Sequence, residues 1–286
     1  VGRQTSFRFT VAATTAVDAV FARHAGAARF AFNQCLREVK DKLETRRRDR
    51  SVEVLWSGFS LVNHINAWKR SPAAGRTWAV DTSGQADLVD AGLPWRGQVC
   101  AQVFEEAAID LGRALTAYSE SKTGRRAGRR VGFPRFKRKG RAKESFRLRN
   151  KLRKNGTPSI QVGTADDPRT IVLPTLGPIR VREDTRRLRR LLRPGPDGTP
   201  RARIWFATIS RHRGRWIITL NVHAPDLHPG MRHPDTGSGQ FVGVDRGLAA
   251  YAVAATATGD EVARIPPSKL LTRALPKLRR ASRAVA

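Results

Sequence analysis

The sequence predicts an α+β, multidomain chain: a small β-barrel interrupted by a helical domain, then the opening strands of a further unit. Two patterns carry this. Three- and four-residue apolar steps are confined to residues 15–121, whereas from residue 122 onward short apolar runs alternate with Gly, Pro and Asp turns. Charge divides at the same place. Residues 1–121 hold 16 Lys/Arg against 13 Asp/Glu, a net +3, and residues 122–286 hold 38 against 11, a net +27.

The elements follow in order. The opening RQTSFRFTV alternates polar and apolar residues as a half-buried strand does. From Thr15, the residues Val17, Val20, Phe21, Ala28, Cys35, Leu36, Val39 and Leu43 keep helical spacing and predict one long amphipathic helix, ending in the exposed basic run ETRRRDR. A shorter helix over FSLVNHINAWKR presents Phe59, Val62, Ile65 and Trp68. Residues 71–94, rich in Gly, Ser, Pro and Asp, read as a loop. A third helix runs from Gln98 to Tyr118, marked by Val99, Val103, Phe104, Ala107, Leu111 and Leu115.

After Ser121 the runs SFRLR, SIQVG, TIVLP, IRVR, ARIWFATISR and RWIITLNVHA predict the strands of a small barrel or sandwich. The first strand has no partner in the helical part, so it is expected to join them, which makes the helical domain an insertion. The expected boundaries are 1–10 for the first barrel strand, 11–121 helical, 122–230 barrel, 231–240 linker and 241–286 the closing unit.

A formal charge of +30 on a chain that is 40% hydrophobic excludes a disordered basic tail and points to a polyanionic partner. The two cysteines, Cys35 and Cys100, lie in helical patterns and read as buried thiols of a reduced protein. No apolar run approaches the roughly 20 residues that span a bilayer, and no signal peptide opens the chain. A cytoplasmic, nucleoid-associated location with no membrane partner is expected.

Residues 122–154 hold 16 Lys/Arg and one acid, Glu144. The bland reading is a solvated face, but one-sided charge at this density calls for a counter-charge. Arg129, Arg130, Arg135, Lys137, Arg138, Lys139, Arg141 and Lys143 are therefore candidate phosphate contacts. Phe133, Phe136 and Phe146 interleave them; stacking on bases is one reading, and anchoring a barrel strand is the favoured one for each ring. A second cluster, RRLRRLLR, adds Arg186, Arg187, Arg189 and Arg190. DNA and RNA are not distinguished by these patterns.

His223, His228 and His233 recur at five-residue steps near Asp226 and Asp235, but in a Pro/Gly linker without the tighter spacing of metal ligands. No Walker loop or G-x-S-x-G is present. What stands out is FVGVDRGLAAYAVAATATGDEVARI, a strand ending in Asp245, a second strand, a TGD turn and a third strand. A carboxylate on the first, central strand of such a β-meander is how RNase H-like nucleases begin their active site, where it binds a divalent metal. From V-D-R-G-L alone, a turn-forming Asp is the simpler reading.

The ordered set of ARFAFNQCL, NAWKRS, LPWRGQVCAQVFEEAAIDLGRAL, GFPRFKRKGRAKESFRLRNK and VGVDRGLAAYAVAATATGDEV resembles the TnpB (OrfB) family of transposon-encoded proteins, relatives of the type V CRISPR effectors. The resemblance runs along the whole chain. It implies a wedge-type β-barrel, an inserted recognition helical domain and the start of a RuvC-like nuclease domain whose first carboxylate is Asp245. It also implies a guide RNA from the transposon end, a double-stranded DNA target and Mg²⁺ or another divalent ion.

One departure matters. Two-metal cleavage needs several carboxylates converging on ions about 4 Å apart. After Asp245 the sequence offers only Asp260 and Glu261, at the far turn of the meander. The family draws a Glu and a last Asp, and usually a four-cysteine zinc ribbon, from a later portion. The sequence is thus expected to correspond to the N-terminal two-thirds of a TnpB protein, with an incomplete RuvC segment and no zinc. Two functions stay open: an RNA-guided DNA endonuclease lacking its full catalytic site, or a catalytically inactive nucleic-acid-binding remnant or repressor. A ribosome-associated basic protein explains the charge but neither motif.

Overall fold

The structure, a computed structural model, describes residues 3–194, 198, 201–224, 242–245, 250–256, 258–266 and 270–285. Contacts divide the chain into two units, Val1–Leu227 and His228–Ala286.

The first unit opens with β1 (Arg3–Thr10) and the 34-residue α1 (Thr15–Arg48). The Thr14 hydroxyl accepts from the Val17 amide at 3.3 Å, Asp18 sits in the first turn and Arg46, Arg47 and Arg48 in the last. Cap and charges both suit the helix dipole. One face of α1 is buried through Phe21, Ala25, Ala28, Ala31, Phe32, Cys35, Leu36 and Val39. Against it pack α2 (Gly58–Trp68) and α3 (Ala101–Lys122). Those two helices touch backbone to backbone. A Cβ on Gly112 would lie 2.5 Å from the Gly58 nitrogen, so a side chain there would push α2 away.

His24 joins α1 to the start of α3. Its Nδ1 lies 2.8 Å from the Val20 carbonyl, and its Nε2 accepts from the Cys100 amide at 3.1 Å, ahead of the first turn of α3. Burial lowers the His24 pKa, consistent with a neutral ring whose Nδ1 donates. Both cysteines are buried, as expected; burial first, then Glu38, pushes the Cys35 thiol up to about 12.

The expected loop at 71–94 instead contains a hairpin, β2 (Arg76–Val80) and β3 (Ala86–Ala91). Asp81 organises its turn by accepting from the Ser83 and Gln85 amides. The hairpin buries almost nothing, and Trp78, Val80, Leu88 and Val89 stay exposed.

After α3, β4 (Ser145–Arg149), β8 (Arg203–His212) and β9 (Arg215–Ala224) form an antiparallel sheet with β1 in the order β1-β9-β8-β4. Phe7 lies opposite Leu220 and Phe9 opposite Ile218. The chain thus leaves this sheet after β1 and returns after the helices. Strands β8 and β9 turn through Arg213 and Gly214, both at positive φ (48° and 76°), which suits a tight hairpin. A smaller sheet contains β5 (Gln161–Val162), β6 (Thr170–Leu173) and β7 (Gly177–Arg180). The short α4 (Arg186–Leu192) follows, with Leu188 buried.

The expected barrel does not close among the described residues. The free edges of β1 and β4 are not paired with each other, and only two isolated bridges reach toward the smaller sheet, Val11 to Val181 just beyond β1 and β7, and Leu152 to Pro158 between β4 and β5. Strands of two to four residues in the smaller sheet leave no continuous ladder at either edge. This part of the chain is α+β, with a four-stranded and a three-stranded sheet.

Helix α3 and strand β4 meet through charge. Arg147 contacts Asp110 at 2.8 Å and Glu106 at 3.6 Å, Arg149 bonds Glu106, and Lys151 reaches Glu105 at 3.4 Å. The Arg149 amide also donates to Gln102 Oε1 at 2.7 Å. Only 4% of the Glu106 side chain is exposed, whereas Arg149 is 47% exposed and Arg147 also holds Asp110 at 2.8 Å. Losing Glu106 therefore leaves one arginine in solvent and the other with a second partner. Glu106→Ala is expected to cost about 1–3 kcal/mol, the range for charged hydrogen bonds screened on one side by water. The thermal midpoint should fall by about 2–12 °C in calorimetry. A midpoint unmoved by the substitution would mean that water already satisfies both arginines.

In the second unit, β10 (Val242–Asp245), β11 (Ala252–Thr256) and β12 (Glu261–Ile265) form an antiparallel meander, followed by α5 (Leu270–Val285) with Pro276 inside it. The order β10-β11-β12 makes β11 central. The strand bearing Asp245 is therefore an edge strand among the described residues, not the central one expected.

Candidate nucleic-acid interface

Residues 123–144 run without regular structure from α3 to β4, yet their path is pinned. The Val131 amide donates to Ser121 Oγ at 2.9 Å. Phe133 meets Tyr118 edge-on at 5.3 Å. The Asn33 side chain on α1 bonds the Lys137 backbone in both directions, donating to its carbonyl at 2.9 Å and accepting from its amide at 2.8 Å. A side-chain amide here replaces a strand partner for one residue of the strap.

The predicted site residues divide into two sets. Arg129, Arg130, Arg135, Arg138, Lys139, Arg141 and Lys143 are exposed, and none has an acidic partner among the described residues. Phe133 and Lys137 turn inward. Phe133 is half-buried against Tyr118, an anchor rather than an open stacking face. The Lys137 ammonium lies 3.7 Å from the centre of the Phe32 ring. Burial lowers its pKa, with Asp110 opposing and Arg147 adding to the shift. Lys137 is placed as a structural cation, not as a phosphate contact. Phe146 is a core residue, edge-on to Phe21 at 5.7 Å. Phe136 remains 42% exposed, under the Lys40 ammonium.

On α4, Arg186, Arg187 and Arg190 are exposed. Arg189 turns inward to Thr185 Oγ1 at 3.2 Å and Asp184 at 3.3 Å. Asp184 also accepts from the Arg186 amide; that bond leads the causes that lower its pKa, and Arg189 adds to them.

Asp245 is exposed at the end of β10, opposite Val253, which faces Arg264 in turn. Glu261 lies opposite Ala255, two residues along and two strands across from Asp245. That separation is about 12 Å between backbones, shorter than the length of chain between them suggests and at the outer limit of what two fully extended carboxylates span to one ion. Both far-turn acids are also engaged locally, Asp260 by the Thr258 hydroxyl at 2.8 Å and Glu261 by Arg264. No group of three metal-capable side chains occurs among the described residues. One exposed carboxylate does not fit a two-ion centre. His223 stacks on Trp205 at 5.7 Å, while His228, His233, Asp226 and Asp235 lie outside the described residues.

Two contacts go unread in the sequence: the Asn33 clasp, which has no signal there, and the Glu105, Glu106 and Asp110 carboxylates that neutralise part of the basic run. Of the acids, Glu106 and Asp110 carry a signal, since positions i and i+4 share one face of α3.

An α+β chain with a pinned basic strap, acid-free over residues 129–143, presents a surface complementary to a polyanion. Residues 3–48 match a family described as a helix-turn-helix domain, that of OrfB proteins (HTH_OrfB_IS605). Here those residues form β1 and one continuous helix. Two proteins of Mycobacterium tuberculosis strains, each named for a proposed RNA-guided DNA endonuclease activity, are 32% identical over 282 residues. The match covers 98% of this chain and 54% of each relative, so the chain spans about half their length. Among solved structures, a Cas12f1–sgRNA–target DNA complex aligns over 99% of this chain and 61% of that chain, at 10% identity and a TM-score of 0.34. A CRISPR-Cas12f ternary complex aligns over 95% and 52%, at 12% identity and a TM-score of 0.40. The chain is a TnpB-like protein.

Proposed function

We propose that this chain is the nucleic-acid-holding part of an RNA-guided DNA endonuclease of the TnpB type, taking a guide RNA from the transposon end and a double-stranded DNA target. The observation that carries it is the strap at 129–143: seven exposed cations without acidic partners among the described residues, on a backbone fixed to α1. In this reading α1–α3 are the recognition helices, the two open sheets are the wedge part, and the β10–β12 meander begins the RuvC-like domain with Asp245 as its first carboxylate. A divalent ion does not fit the described residues alone. That same observation favours a second reading, a binder or repressor without catalysis.

The test is recovery of RNA with the protein expressed beside its own flanking DNA. The expected result is a discrete RNA, retained at moderate salt and mapping next to the coding sequence. Bulk cellular RNA without enrichment would leave only a general polyanion binder. No described helix is long and apolar enough to cross a membrane.

A further inference from the structure

Beyond the strap lies a groove of about 630 Å³ that includes Arg113, Arg149, Asn150, Arg203 and Trp205 in its lining. Trp205 is 48% exposed, an unusual position for an indole in the longest hairpin of the first sheet. A register shift puts it there. Between Ile204 and Phe206 the β8–β9 pairing skips a residue, so Trp205 is the extra residue of a bulge. The bulge is held from behind: Asn150 donates through its side chain to the Ile204 carbonyl at 2.9 Å and through its backbone to the Trp205 carbonyl at 2.9 Å. Its side-chain oxygen accepts from the Ile160 amide at 2.8 Å, which fixes the amide's orientation. One side of the indole is taken by His223, with the rings at 25° and 5.7 Å.

The cations around this ring differ in how far they are committed. Arg149 is bonded to the buried Glu106, and Arg113 lies 3.6 Å from Asp110. Arg203 is exposed and has no acidic partner among the described residues. An aromatic plane at the edge of an arginine-lined groove matches a nucleotide: a base for the ring, a phosphate for the guanidinium. A base inside a duplex has both faces covered by its neighbours, so the ring selects for an unpaired one.

We infer that Trp205, backed by His223, is a stacking platform for an unpaired nucleotide of a single-stranded nucleic acid, with Arg203 on the adjacent phosphate. This rests on the nucleic-acid reading above but assigns a site separate from the strap. Either an unpaired stretch of RNA or a displaced DNA strand supplies the same chemistry.

The test measures binding of the full chain to fluorescein-labelled oligouridine, oligothymidine and a duplex of equal length. Trp205→Ala is expected to weaken the better-bound single strand by about 5- to 150-fold, the range for losing one stacked base. Its salt slope should stay unchanged, since stacking releases no counterion, and Trp205→Phe should retain most of the affinity. Arg203→Gln should instead reduce the salt slope by about one. Duplex binding should hardly move. Oligouridine preferred assigns the site to RNA, and oligothymidine preferred to a displaced DNA strand. Equal losses on duplex and single strands, or no loss on either, overturn the proposal. If the alanine variant does not fold, the wild-type chain is photocrosslinked to 4-thiouridine and 4-thiothymidine strands. An adduct in the tryptic peptide IWFATISR supports the site, and adducts confined elsewhere overturn it. A chain that binds normally without Trp205 sinks this site alone, whereas a chain that binds no nucleic acid sinks the broader reading.

Discussion

Raising salt from 50 to 200 mM is expected to weaken nucleic-acid binding by about 10³–10⁵, the loss for 6–10 phosphate contacts. Seven exposed cations on the strap and three on α4 provide that number without breaking any ion pair among the described residues. Cations already paired inside the fold release no counterions on binding, so Arg147 and Lys137 contribute little to the slope. The strap can be separated from general charge by substitution. Reversing Arg135, Arg138 and Lys139 together should flatten the salt slope by about three. Reversing Arg46, Arg47 and Arg48 removes the same formal charge from the end of α1, where Arg47 is paired with Glu44 at 2.7 Å, and should change it less. Lys137 belongs in neither set: a carboxylate over the Phe32 ring would disturb the fold itself. A flat salt response, or equal effects of the two triple reversals, would remove the strap from the interface.

What was legible in the sequence was what repeats along it. The apolar spacing of α1 and α3 is long enough to fix both helices, and the pairing of β1 with strands some 200 residues later follows from its alternation and from the lack of any partner strand in the helical part. The meander at 242–265 follows from its three short strand-like runs and the TGD turn. The hairpin at 76–91 was missed because its strands are exposed on both faces, so RTWAV and ADLVDA carry no alternation that burial would enforce. Barrel closure was over-read from strand count; which edges meet is decided by strand length and register, and neither is visible in composition.

The candidate site divided along the same line. Exposure of Arg129 or Arg138 follows from a charged residue having no reason to be inside. The inward turn of Lys137 depends on Phe32 and Asn33, more than 100 residues away. Likewise the Trp205 bulge is held by Asn150, on another segment, which ties two consecutive carbonyls. Such pairings are tertiary facts.

Asp245→Ala is expected to reduce DNA cutting to background in a protein that joins this chain to the further length its relatives carry, while guide and target binding stay close to wild type. The reasoning starts from position. Asp245 is exposed on an edge strand and makes no ion pair among the described residues. Its removal should therefore change stability by no more than about 0.5 kcal/mol. The strap, α4 and the Trp205 groove all belong to the other unit, so the contacts proposed for binding remain. A loss of cutting with folding and binding retained would then report the carboxylate's chemistry alone. Residues 1–286 by themselves should not cut with Mg²⁺ and any RNA, because Glu261 and Asp260 are engaged by local partners and no group of three metal-capable side chains forms among the described residues. Guide-dependent cutting by residues 1–286 would contradict the incomplete-centre reading. Undiminished cutting by the extended Asp245→Ala protein would return Asp245 to the role of a strand-end residue, and the nuclease assignment would then have to rest on other carboxylates.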